Sequence, residues 1–195
     1  MLRLFVAVEL PAQVRSSLAQ AIQELRHTLH EQLRWVDPQG IHLTLKFLGD
    51  VPGSMVDTMS HTIAESVRVV KPFELRLDGA GTFPAGPSSS VVWAGLVGDL
   101  ASLEALQAAV EGAMAGQGVM REPRAFRPHL TLARVRGRLR QELAGPLRAQ
   151  LEAVHYAGAA PFAVRAVSLM RSELRREGAR YTRLAHAPLD LGEPK

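Results

Sequence analysis

Residues 41–51 read IHLTLKFLGDV, and residues 126–135 read FRPHLTLARV. The tetrapeptide HLTL therefore occurs twice, at 42–45 and at 129–132, 87 residues apart. In a strand, alternate residues share a face. Ile41, Leu43, Leu45 and Phe47 then turn toward a core, and His42, Thr44 and Lys46 turn away from it. His129 and Thr131 take the same outer side of the second stretch. The likeness extends outward. LFVAVEL at 4 is followed 87 residues later by VVWAGL at 91, and FELRL at 73 by FAVRA at 162, 89 residues on. The order strand, helix, HLTL strand, helix, strand repeats once. Landmarks that recur at one offset point to an internal duplication, here about 1–88 and 89–195 of a single 195-residue domain. The expected architecture is α+β, with two pseudo-twofold-related lobes around a shared cleft and strand exchange between them left open.

The remaining elements follow from periodicity and turn residues. Leu2, Leu4, Val6 and Val8 share one face of a strand over 2–9. Pro11 suits the first turn of a helix, continued by Val14, Leu18, Ile22, Leu25 and Leu29. A short strand at 33–36 ends at Asp37-Pro38 and Gly40. Further helices are expected at about 54–69, 100–115 and 139–154. Further strands are expected at 73–77, 90–96 and 125–135. Gly79, Gly81, Pro84, Gly86 and Pro87 predict a loop. Residues 162–170 and 180–186 predict a hairpin around Glu177-Gly178.

Composition narrows the function classes. Apolar residues make up 47% and charged residues 22%, the balance of a folded globular chain. No apolar run reaches the roughly 18–20 residues of a membrane helix, and the N-terminus lacks the features of a secretory signal. These features, with the absence of cysteine, favour a cytoplasmic setting and remove thiol catalysis and cysteine-held metals. The net charge is +4, and 20 of the 23 basic residues are Arg. Seven of them, against the single acid Glu122, fall between Arg121 and Arg140. Such a strip suits a phosphate-bearing partner.

Paired His-Thr faces on opposite walls of a cleft suit a phosphodiester. In-line cleavage of a P–O bond needs a proton taken from the incoming oxygen and another given to the leaving oxygen. Histidine titrates near neutrality and can do either. Threonine hydroxyls can donate to the non-bridging oxygens as their charge grows. No Asp, Glu or third His repeats beside the pairs, so a metal set is not indicated, and no cofactor is called for. GAGTFPAG at 79–86 does not open a helix, so it is not a dinucleotide fingerprint. His27 and His30 are expected as a surface pair, while His61, His155 and His186 belong to no motif.

At these residues the chain resembles the 2H phosphoesterase superfamily. RLFVAVELP (3–11), HLTLKFLGDV (42–51), GAGTFP (79–84), FRPHLTLARV (126–135) and SLMRSELRREGARYTRL (168–184) resemble its RNA 2′,3′-cyclic phosphodiesterase family, historically called the 2′-5′ RNA ligases. The resemblance implies a bilobal fold of two antiparallel sheets backed by helices. It implies an enzyme that opens a terminal RNA 2′,3′-cyclic phosphate to a 2′-phosphate, with ATP-independent 2′-5′ ligation as the reverse reaction. By motif position, His42 would be the acid for O3′ and His129 the base for water, roles that the sequence allows to be swapped. Thr44 and Thr131 would hold the phosphate. Phe47 and Arg134, five residues after each histidine, would flank the terminal base. Alternation alone puts Phe47 on the core side, so a bulge or the strand's end must turn it outward. Arg127 and Lys46 are further candidates for contacts with RNA. The expected substrate is an RNA end of the oligonucleotide or tRNA-half kind, met by a monomer without membrane association. Two other readings stay open: a phosphodiesterase for small cyclic nucleotides, and an RNA-binding module without catalysis.

Overall fold

The computed structural model describes residues 1–29, 32–84, 90–156, 158–175 and 178–190. Nine strands and four α-helices form among them: β1 (Leu2–Glu9), α1 (Ala12–Leu29), β2 (Leu33–Trp35), β3 (His42–Val51), α2 (Val56–Val67), β4 (Phe73–Phe83), β5 (Val91–Gly98), α3 (Leu100–Gly116), β6 (Leu130–Val135), α4 (Gln141–Glu152), β7 (Phe162–Val164), β8 (Ala166–Arg175) and β9 (Gly178–Pro188). Short 3-10 turns at Pro38–Gly40 and Gly53–Met55 lead into β3 and α2. The first is capped by Asp37, whose carboxylate accepts from the Gln39 amide at 3.0 Å. Asp99 caps α3 in the same way through the Ser102 amide at 3.0 Å, satisfying a donor that the helix leaves unpaired.

The strands form two antiparallel sheets, so the fold is α+β. One has four strands in the order β3-β1-β8-β9, the other five in the order β2-β6-β5-β4-β7. The halves exchange strands. β2 and β4, from the first half of the chain, lie beside β6 and β5. β8, from the second half, lies beside β1. The helices exchange as well: α3 packs on β3 and α2 on α3 and β9, whereas α4 packs on β4 and α1 on α4.

Burial follows sequence periodicity. Leu4, Val6 and Val8 of β1 and Val14, Leu18, Ile22 and Leu25 of α1 all enter one continuous core. A second, small cluster of Phe5, Ala7 and Met170, with half-buried Tyr181 against it, lies on the opposite face of the four-stranded sheet. That face carries His42.

Three expectations need correction. Residues 79–83 are not a loop: β4 continues to Phe83 after a register shift between Leu77 and Ala80. Gly81 makes room for a side chain there, because a Cβ would sit 2.4 Å from the Trp93 ring, and Gly79 takes a positive φ of 65°. Residues 125–129 are not strand: β6 begins at Leu130, so His129 stands on the lead-in. FELRL and FAVRA, matched as counterparts in the sequence, are hydrogen-bonded neighbours, with Leu75 opposite Phe162.

Candidate active site

Both motif strands carry a bulge at the same place. Ala7 faces Thr44 and Val6 faces Lys46, leaving Leu45 as the extra residue of β3. Trp93 faces Thr131 and Val92 faces Ala133, leaving Leu132 as the extra residue of β6. A bulge places two successive residues against one and resets the alternation. Leu45 and Lys46 are accordingly both buried, as are Leu132 and Ala133. The next residues, Phe47 and Arg134, then emerge on the His-Thr face. Phe47 is 62% exposed, with its ring 6.1 Å from Phe5. The same reset removes Lys46 from that face, against the expectation from alternation. Its ammonium is 2.7 Å from Glu111 and 2.9 Å from the Met120 carbonyl, and its side chain is 2% exposed. Lys46 is therefore not placed to meet RNA.

The two histidines are held alike. His42 Nδ1 lies 2.8 Å from the Gly40 carbonyl, and His129 Nδ1 lies 2.7 Å from the Arg127 carbonyl. A carbonyl can only accept, so each Nδ1 carries the proton and each Nε2 is left as the working nitrogen. Aromatic rings fix the imidazole planes. His42 stacks on Phe5 at 4.6 Å and meets the edge of Tyr181 at 4.9 Å. His129 meets the edge of Phe83 at 5.2 Å. β3 and β6 approach each other where the sheets meet, and Thr44 and Thr131 are half-buried on them.

The surroundings of the histidines differ. Burial lowers the His42 pKa below the ordinary histidine value, opposed by the Gly40 carbonyl and by the charge of Glu9. Glu9 is the β1 residue opposite His42. Burial would raise the Glu9 pKa, but the hydrogen bond from Ser168, the Arg183 charge and hydrogen bond, and the His186 charge together hold it below the ordinary carboxylate value. Ser168 Oγ donates to Glu9 at 2.5 Å and lies 3.5 Å from His186 Nδ1. Arg183 reaches Glu9 at 3.1 Å. In the other sheet, the position that follows the Ala94–Leu130 pair is Gly95. A Cβ there would strike the Asp78 carbonyl at 2.4 Å, so no carboxylate is available beside His129 from that strand.

Arg127 is exposed, with its guanidinium 5.8 Å from the centre of the Phe83 ring. Its carbonyl holds His129, and its guanidinium lies over the ring that packs against His129. Arg134 is exposed on β6. Together with Arg3 it opposes the burial that raises the Tyr181 pKa, so its charge bears on the ring packed against His42.

Phe5, Glu9, Ser168, Tyr181 and Phe83 were not anticipated as site residues. Phe5 and Glu9 were legible, since they take the side of β1 opposite Leu4, Val6 and Val8. Ser168 and Tyr181 depend on a cross-sheet register that the sequence does not declare. His61 and His155 stand apart on the surface. The side chains of His27 and His30 lie outside the described residues. Among the described residues no group of three His, Asp or Glu side chains is placed to hold a metal ion. No described helix is long and apolar enough to cross a membrane.

Known proteins are similar to this chain over nearly its full length. The family model described as the 2′-5′ RNA ligase superfamily matches residues 14–176. A protein of Methanothermobacter thermautotrophicus named RNA 2′,3′-cyclic phosphodiesterase is 33% identical over 180 residues, covering 92% of this chain and 95% of its own. One of the same name from Thermus thermophilus is 34% identical, covering 93% and 87%. The crystal structure of E. coli LigT complexed with 3′-AMP superposes with a TM-score of 0.75 at 29% identity, covering 96% of this chain and 98% of that one.

Proposed function

The chain belongs to the 2′-5′ RNA ligase superfamily, and from that premise we propose that it is an RNA 2′,3′-cyclic phosphodiesterase that leaves a 2′-phosphate. The observation that carries this reading is the matched pair of histidines. Each donates Nδ1 to the carbonyl two residues back, and each is followed two residues on by a half-buried threonine. One Nε2 takes a proton from water as the water oxygen bonds to phosphorus. The other gives a proton to O3′ as the P–O3′ bond breaks. Thr44 and Thr131 donate to the non-bridging oxygens, whose charge grows in the transition state. By motif position His42 is the acid; the charge of Glu9 favours its imidazolium, against the burial that lowers its pKa overall. His129 is the base. The side-chain set supplies both proton transfers, so the reaction asks for no metal. Phe47 and Arg134 offer a ring and a guanidinium plane for stacking the terminal base. Reversal of the same steps gives 2′-5′ ligation without ATP.

The two halves are copies of one ancestral unit in this reading, since the bulge recurs at the same motif residue. One chain supplies both histidines, so a monomer suffices, and a cytoplasmic setting supplies its RNA ends. The test is incubation with a short RNA ending in a 2′,3′-cyclic phosphate, in EDTA, with the product end identified. A 2′-phosphate end is expected. A 3′-phosphate end, or activity abolished by EDTA, would overturn the mechanism.

A further inference from the structure

Arg34 of β2 stands directly opposite Arg134 of β6. Opposed residues in an antiparallel pair share a face, with Cβ atoms about 4.5–5.5 Å apart. The flanking pairs, Leu33 with Val135 and Trp35 with Ala133, pack toward the core. Arg34 and Arg134 therefore occupy the other face, the one that bears Thr131. Both are exposed, and among the described residues neither makes an ion pair. β2 is an edge strand, so no further strand covers Arg34. Like charges placed directly opposite each other cost stability, and an anion seated between them removes that cost.

We propose that Arg34, together with Arg134, forms a second phosphate subsite, which takes the phosphodiester on the 5′ side of the terminal nucleotide. The subsite rests on the function proposed above and gives it a substrate class: oligonucleotide ends ahead of cyclic mononucleotides. Arg134 lies three residues beyond Thr131, on the order of 10 Å along the strand. A cation pair there meets the phosphate next in the chain, not the one being opened. Guanidinium forks match the paired non-bridging oxygens of a phosphodiester.

The test compares kcat/KM for a 2′,3′-cyclic mononucleotide and for a short oligoribonucleotide ending in the same cyclic nucleotide. The unsubstituted protein should favour the oligonucleotide. Arg34→Ala should lower the oligonucleotide-to-mononucleotide ratio about tenfold, the size of one lost charge-assisted contact. The salt dependence of the oligonucleotide KM should become shallower by about 0.7 in log–log slope, one phosphate contact on a single strand. Arg34→Lys, which keeps the charge without the fork, should recover part of the ratio. Turnover of both substrates with a ratio that Arg34→Ala leaves unaltered would overturn the subsite alone. Failure of the unsubstituted protein on both substrates would overturn the proposed function and the subsite with it.

Discussion

At the scale of single residues, the two histidines are distinguished by what lies one strand away. Glu9 faces His42 across the β1–β3 pair, and glycine stands at the matching place beside β6. The Glu9 carboxylate is held below its ordinary pKa, so it is ionised throughout the range in which imidazole titrates. Its charge raises the His42 pKa against the stronger lowering by burial. Glu9→Gln removes that support and leaves Arg183 unneutralised nearby, and both changes lower the His42 pKa further. An acid must be protonated to act, so the falling limb of kcat/KM on the alkaline side should move to lower pH. If His42 were instead the base, the rising limb on the acid side would move, and the roles would be reversed. The pH profile of kcat/KM for Glu9→Gln therefore decides between the two assignments. Loss of either histidine to alanine should cost about 10²–10⁴ in rate, read in the same assay. The His-Thr pairs were legible in the sequence because a repeated tetrapeptide survives any folding detail. The Glu9 contrast was not, since it depends on which β1 residue faces His42.

At the scale of the strand, the bulge decides which residues work. Simple alternation puts Lys46 beside His42 and Phe47 in the core, and both placements are reversed. The pattern HLTLKFL holds no glycine or proline at the extra residue, so nothing in it marks the reset. Two measurements follow from the reversal. Phe47→Ala removes an exposed ring, so stability should change by no more than about 0.5 kcal/mol while KM for RNA rises. Leu45→Ala, one turn of the pleat away but buried at 4% exposure, should cost about 2–5 kcal/mol. Lys46 has become a clamp. Glu111 accepts from both the Lys46 ammonium and the Glu122 amide at 3.1 Å. This ties β3 to α3 and to the segment that runs on toward His129. Lys46→Met strands a largely buried carboxylate and should cost about 3–5 kcal/mol in urea unfolding. The double variant Lys46→Met with Glu111→Met removes both charges and should regain most of that loss. Equal losses in the single and double variants would show that the pair is not coupled.

At the scale of the whole molecule, the exchange of strands makes the halves dependent on each other. Duplication was legible from the spacing of HLTL, because sequence identity at a fixed offset needs no tertiary knowledge. The exchange was not, because pairing partners far apart in the chain leave no local trace. Of the strands before residue 88, only β1 and β3 find each other within that half. β2 needs β6, and β4 needs β5 and β7. α2 packs on α3 and β9, and α1 packs on α4 as well as on the turn at Pro38–Gly40. A lone two-stranded pair is marginal in water, and a half-core of this size buries too little surface to offset chain entropy. Residues 1–88 and 89–195, made separately, should each lack a cooperative urea transition followed by circular dichroism. Mixed during refolding, they should regain both the transition and hydrolysis of a 2′,3′-cyclic phosphate, because each fragment carries the strands that complete the other's sheet. Cooperative unfolding of either fragment alone would mean that the exchanged strands contribute little, and that each His-Thr wall folds without the other.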